Sequence, residues 1–362
     1  MKTQQDIWQK LQEQSIVKGE LSASDKIKTP WFIKLLLAFS GWFASLFIFG
    51  FFLLILNELI ENSIACLLIG AGLIFIAYHT LQKKHSEFLE HLMLACSLAG
   101  QALIAWALFI TESTTFSVFP WLALFILQSA LSLFMPHYIH RACCAFFASL
   151  AFTICLYYWH LSAFTSASLL LLVMVLILNE WHSIKWQPIF ESISYGVISL
   201  LILLKATHAI SYDLSYWLNE SAVSHTWYAY LDELLLIFSM IYLILTLISR
   251  SPTVFPIKIK RVILIATIGL CLLSMQASGI TLSVALLILG FSNSNKLLQA
   301  LGLTSLLFYI SSYYYLLTLT LLEKSGILLI MGIFILIIRY VLLNWFKIVL
   351  IPPTIKGDKH AI

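Results

Sequence analysis

Five polar residues stand inside long apolar stretches of this chain: Gln101, Gln128, Asp232, Glu233 and Arg339. A polar or charged group is costly in hydrocarbon, so each is a candidate contact for a ligand, an ion or a partner. Gln101 and Gln128 lie deep in their stretches, where a side-chain amide seeks a partner on another helix, a contact worth about 0.5 to 2 kcal/mol. Asp232 and Glu233 begin a stretch. A helix N-terminus favours negative charge, so capping and a cation entry site are their two readings. Arg339 lies about 22 Å along its helix from Lys324, which leaves about 8 Å to a membrane boundary. Snorkelling covers that distance, and a buried ion pair or anion site is the alternative.

A second pattern is a row of hydroxyls. Thr304, Ser311, Tyr315 and Thr318 fall at i, i+7, i+11 and i+14, which places them on one side of a helix. Hydrogen bonding to neighbouring helices is the plain expectation for such a row. A hydrated groove is the sharper one, with Glu323 and Lys324 at its outer mouth.

No motif of enzyme chemistry accompanies these residues. The sequence has no H-E-x-x-H, no G-x-S-x-G and no phosphate-cradling loop. Its six cysteines include no C-x-x-C pair, and the ten histidines fall mostly near the ends of apolar stretches. Glu90 and His91 adjoin, as interfacial pairs commonly do. The expectation is a noncatalytic protein with no cofactor and no metal.

The elements that must position these residues are long and apolar. Hydrophobic residues make up 61% of the chain and charged ones 10%, which cannot give a water-facing surface. Apolar stretches fall near residues 33–56, 63–81, 89–110, 116–135, 139–159, 162–180, 190–206, 230–249, 261–276, 278–291, 297–322 and 325–350. Most match a helix rising about 1.5 Å per residue through about 30 Å of hydrocarbon. The fold class expected is all-α: a polytopic transmembrane helical bundle of about 12 spans.

Basic residues sit in alternate joints between these stretches. All except Lys205 and Lys324 fall on one side, which under the positive-inside rule puts both termini in the cytoplasm. The net charge of +4 then reflects orientation and anionic lipid, with no reason to invoke nucleic acid. The expected organisation is a cytoplasmic amphipathic segment over 1–32, a single membrane domain over 33–351 and a cytoplasmic tail over 352–362. Ile7, Trp8, Leu11 and Leu21 give the first segment its apolar face. The joint from His208 to Tyr228 is acidic and aromatic, as an interfacial element is. The prolines lie at or beyond the ends of the stretches, so none marks the broken helix of a midplane transport site.

The C-terminal third carries the specific signal. Gly290-Phe291-Ser292-Asn293-Ser294-Asn295-Lys296, Leu301-Gly302-Leu303, Tyr309-Ile310-Ser311-Ser312-Tyr313-Tyr314-Tyr315, Leu321-Leu322-Glu323-Lys324-Ser325, Gly332 and Arg339 resemble the bacterial membrane family numbered 4401 among domains of unknown function. The resemblance is best over about residues 260–345. It implies a polytopic protein of the bacterial inner membrane and a membrane-anchored partner whose domain is named for a G-D-Y-x-x-L-x-Y motif. It transfers no catalytic residue. This chain carries Ser-Asn-Ser-Asn where a more basic turn is expected. The function expected is therefore a scaffold or partner-binding membrane component, with a transporter or lipid translocator as the alternative.

Overall fold

A computed structural model of the chain describes residues 61–83, 87–111, 117–180, 186–209, 226–250, 257–274 and 279–316, with scattered positions between 12 and 50 and between 322 and 340. The described residues form helices and turns, with no strand among them. The expected first and last spans, the amphipathic N-terminal segment, most of the joint from His208 to Tyr228, and Thr318 and Lys324 lie outside the described residues or only partly within them.

The chain divides into two compact units, Met1–Thr115 and Phe116–Ile362. The first holds α1 (Ser63–Leu81) and α2 (Glu87–Thr111). Asn62 starts α1, its side-chain oxygen accepting from the backbone N–H groups of Ile64 and Ala65 at 3.1 and 3.3 Å. The two helices pack where Gly70 meets Gly100. A Cβ on either glycine would lie 2.6 Å from the other's carbonyl oxygen, so the backbones touch.

The second unit holds α3 (Phe119–Phe134), α4 (Tyr138–Tyr158), a 3-10 turn (Ser162–Phe164), α5 (Thr165–Leu178), α6 (Gln187–Ala209), α7 (Thr226–Arg250), α8 (Ile257–Ser274), α9 (Ile280–Ser292) and α10 (Lys296–Leu316). Its buried core is formed chiefly by α5, α6, α7 and α9, among them Leu170, Val173, Leu200, Leu201, Leu236 and Leu286. Gly196 lets α6 close on α4, since a Cβ there would collide with the Ala142 carbonyl oxygen.

Hydrogen bonds fix the directions of these helices. Ser166, in the first turn of α5, bonds Asp232 near the start of α7, while Arg250 at the end of α7 donates to the Leu178 carbonyl at the end of α5. The two helices therefore run parallel. Tyr195 of α6 bonds Asn295, just before α10, and Ile202 of α6 bonds Tyr309 within α10, so that pair is parallel too.

The Ser-Asn-Ser-Asn turn joins α9 to α10 through Ser294, whose φ of 54° is left-handed. Asn295 caps α10, its oxygen accepting from Leu297 N–H, Leu298 N–H and the Tyr195 hydroxyl. Asn293 donates to the Ile177 carbonyl at 2.9 Å. Amides rather than cations suit this turn, because its work is to satisfy helix ends.

Five described helices are long and apolar enough to cross a membrane: Ser63–Leu81, Phe88–Ile110, Tyr138–Tyr158, Gln187–Thr207 and Tyr230–Arg250. Phe119–Phe134, Ser162–Leu178 and Ile280–Ser292 are apolar but shorter.

A candidate site around a buried lysine

Lys205, one of the two basic residues that break the charge alternation, sits four residues before the end of α6 and is 1% exposed. A buried ammonium needs anionic partners, and α7 supplies two. Lys205 Nζ donates to Asp232 Oδ2 at 2.6 Å and to Glu233 Oε1 at 2.7 Å. Asp232 Oδ2 also accepts from the Ser166 hydroxyl at 3.0 Å. Three helices thus meet in one polar knot, because α5 packs against both α6 and α7.

The pairing changes the meaning of Asp232 and Glu233. The α7 helix begins at Thr226, with no acidic residue in its first turn, so these carboxylates lie past the capping positions. They face inward. Their side chains are 14% and 7% exposed, against 2% for Lys205. That burial is the burial of carboxylates ion-paired to a lysine of the neighbouring helix.

Above the knot, α10 brings in Tyr309. Its hydroxyl donates to the Ile202 carbonyl at 2.8 Å, three residues before Lys205, and the side chain is 1% exposed. Gly279, at φ 93°, makes room for the ring, since a Cβ there would stand 2.7 Å from it. Ser283 and Ser305 pair at 2.9 Å between α9 and α10. Glu233 lies close enough to Tyr309 and to Cys271 of α8 for its charge to act on both.

Two polar atoms in this region have no hydrogen-bond partner: Asp232 Oδ1 and the hydroxyl of Thr165, beside Ser166 in the first turn of α5. Three formal charges, one positive and two negative, therefore meet in an apolar bundle with one carboxylate oxygen unserved.

The other sequence candidates lie elsewhere. Gln101 is buried on α2 in the first unit, its amide donating to Ser97 Oγ one turn back at 3.5 Å. Gln128 is buried on α3, in line with Pro120, Leu124 and Ser132 at four-residue spacing. The hydroxyl row does not face the unit's interior. Thr304, Ser311 and Tyr315 are exposed, Tyr315 at 81%, because the buried face of α10 runs through Leu298, Gly302, Ser305 and Tyr309. Glu323 and Arg339 are helical and exposed. Lys205, by contrast, is a basic residue buried within a helix long and apolar enough to cross a membrane.

At the other end of the unit, Glu180 follows α5 and is 7% exposed. Burial pushes its carboxyl above the usual glutamate range, the neighbouring Glu191 adds to that, and a hydrogen bond with Gln187 opposes it. No group of three or more His, Cys, Asp or Glu side chains suited to a metal ion occurs among the described residues.

These features define an all-helical protein of membrane-spanning type with an ion-paired knot between apolar helices. The chain belongs to the family described as Domain of unknown function (DUF4401), whose model matches residues 30–344. That match extends well upstream of the 260–345 stretch in which the resemblance was strongest, so the helices carrying Lys205, Asp232 and Glu233 are part of the family domain. No curated protein and no solved structure matches the chain.

Proposed function

We propose that this is a multi-pass protein of the bacterial inner membrane whose second unit moves a small polar solute or ion across the bilayer. The observation that carries this reading is Lys205 ion-paired to Asp232 and Glu233 within two helices apolar enough to span a membrane. Charged residues in such segments face cavities or one another and mark solute paths, proton relays and counter-ions. A scaffold needs no such group, and an apolar replacement of similar volume commonly packs at least as stably. About twelve crossings with both termini cytoplasmic complete the proposal, supported by the alternation of basic joints.

The test is transport by the full chain in proteoliposomes adsorbed on a solid-supported electrode, challenged with panels of amino acids, sugars, nucleosides and inorganic ions. A current abolished in Lys205→Met with Asp232→Asn and Glu233→Gln supports the proposal. A current equal in the wild type and this triple variant refutes it.

Partner binding is the second reading. The outward row of Thr304, Ser311 and Tyr315 favours it, since hydroxyls on an outer helix face suit a second transmembrane helix better than acyl chains. The family resemblance nominates the membrane-anchored G-D-Y-x-x-L-x-Y protein as that partner. Copurification from native membranes checks it: loss of a stoichiometric partner in Ser311→Leu with Tyr315→Leu supports the reading, and absence of any such partner from the wild type removes it.

A further inference from the structure

We propose that the knot is a proton-exchange site and that Asp232 Oδ1 is the atom that takes and releases the proton. This deepens the transport reading and rests on it: the proton is the species that the solute path would couple to.

Charge balance is the first argument. With both acids ionised, Lys205 offsets one of two carboxylates, and the remaining charge sits in a bundle whose described core is chiefly apolar and offers hydroxyls but no second cation. Burial of an uncompensated charge is strongly unfavourable. One proton at Asp232 leaves a one-to-one Lys205–Glu233 pair and a neutral acid. Release of that proton restores the net negative charge, so the two states differ by one charge held by the same helices.

Geometry selects the atom. Asp232 Oδ2 already accepts from Lys205 and Ser166, and it keeps both bonds as the carbonyl oxygen of a protonated carboxyl. Oδ1 of the same carboxyl is buried without a donor. The step is a single one: hydronium loses a proton, leaving water, as an O–H bond forms at Oδ1, and on release that bond breaks and the proton returns to water. Asp232 is also the most exposed of the three side chains, 14% against 7% and 2%. It stands six residues into α7, about 9 Å along the helix from Thr226.

Among the described side chains the surroundings contain few rivals. Against α7 pack α5 and the 3-10 turn, which offer Thr165 and Ser166 but no titratable side chain, and α9, which offers hydroxyls only. From α8 comes Cys271, whose basic companions Lys258, Lys260 and Arg261 lie at the opposite end of that helix. From α6 comes Lys205, and Tyr309 of α10 lies near Glu233; Glu233 itself adjoins Asp232 on α7.

Infrared difference spectroscopy of the full chain in lipid vesicles reads the proton directly, without any solute. On a step from about pH 8 to about pH 5 in choline chloride, the wild type should gain the C=O stretch of a buried protonated carboxyl. Glu233→Gln should keep that band and Asp232→Asn should lose it. The band surviving in Asp232→Asn, or no band in the wild type, would overturn the inference. So would its suppression when sodium replaces choline, since a metal cation would then be the occupant. If Asp232→Asn does not fold, Asp232→Glu decides: a band at a shifted frequency supports the assignment and an unmoved band rejects it. Transport currents with a band indifferent to residue 232 would sink this inference alone. A band lost in Asp232→Asn with no current for any solute would sink the transport reading alone.

Discussion

Lys205→Met separates two ways of being buried. The wild-type ammonium holds Asp232 and Glu233 at 2.6 and 2.7 Å, and its side chain is 2% exposed. Methionine fills much of the same volume but leaves two adjacent carboxylates with no cation. Breaking a buried pair by removing one partner costs about 3 to 5 kcal/mol. Asp232→Asn is different: it leaves the Lys205–Glu233 pair one-to-one and preserves an oxygen for Lys205 and Ser166. Its cost should be about 1 kcal/mol or less, the scale of one altered hydrogen bond. At about 2 °C per kcal/mol for a unit of this size, Lys205→Met should lower the thermal midpoint by about 6 to 10 °C and Asp232→Asn by about 2 °C. The assay is thermal unfolding of purified protein in one detergent, followed by tryptophan fluorescence at neutral pH. Equal losses in the two variants, or a larger loss in Asp232→Asn, would refute the charge argument.

Three further outcomes follow from packing and burial. Gly196→Ala should destabilise by about 1 to 3 kcal/mol despite better helix propensity, because the new Cβ meets the Ala142 carbonyl and Ala145 of α4; a stabilised variant in the same melt would contradict that close approach. Tyr309→Phe removes the hydrogen bond to the Ile202 carbonyl and should cost about 0.5 to 1.5 kcal/mol, whereas Tyr315→Phe, on the exposed face, should leave the melt unchanged. The raised carboxyl of Glu180 means that the folded state holds its proton more tightly than the unfolded chain. Its contribution is therefore greatest at low pH and falls as pH rises through the folded value. Glu180→Gln should melt higher than wild type near pH 8, with the gap closing towards about pH 4; a pH-independent gap would contradict this.

Much of the fold was legible because it depends on local periodicity and length. The stretch 63–81 coincides with α1, and the remaining described helices fall within a few residues of their expected places. Helix ends were less legible. At Asp232 and Glu233 the apolar pattern begins near Tyr230, but α7 starts at Thr226 on a Thr-Trp-Tyr-Ala turn that hydropathy alone does not claim. That short difference moved two acids from a supposed cap into the bundle.

The knot itself was hidden because it is tertiary. Lys205 and its partners are 27 and 28 positions apart in the chain, and a third helix, α5, brings Ser166 from 66 positions away. One signal did exist: Lys205 broke the charge alternation, and the next acidic pair inside an apolar stretch was Asp232-Glu233. A lysine near the end of one helix and acids near the start of another can come level. The hydroxyl row was partly legible for a related reason: its spacing fixes a shared side of α10, and Thr304, Ser311 and Tyr315 are all exposed, but spacing does not fix which side the bundle covers. Tyr309, six residues before Tyr315, holds the buried side.

The most direct test of the central claim is the coupling between Lys205 and Glu233 in a double-mutant cycle of Lys205→Met and Glu233→Gln, measured by equilibrium unfolding in one detergent. A buried, bonded pair predicts a coupling energy of about 2 to 3 kcal/mol, the double variant being far less damaged than the sum of the singles. A coupling below about 0.5 kcal/mol, the additivity expected of distant sites, would contradict it.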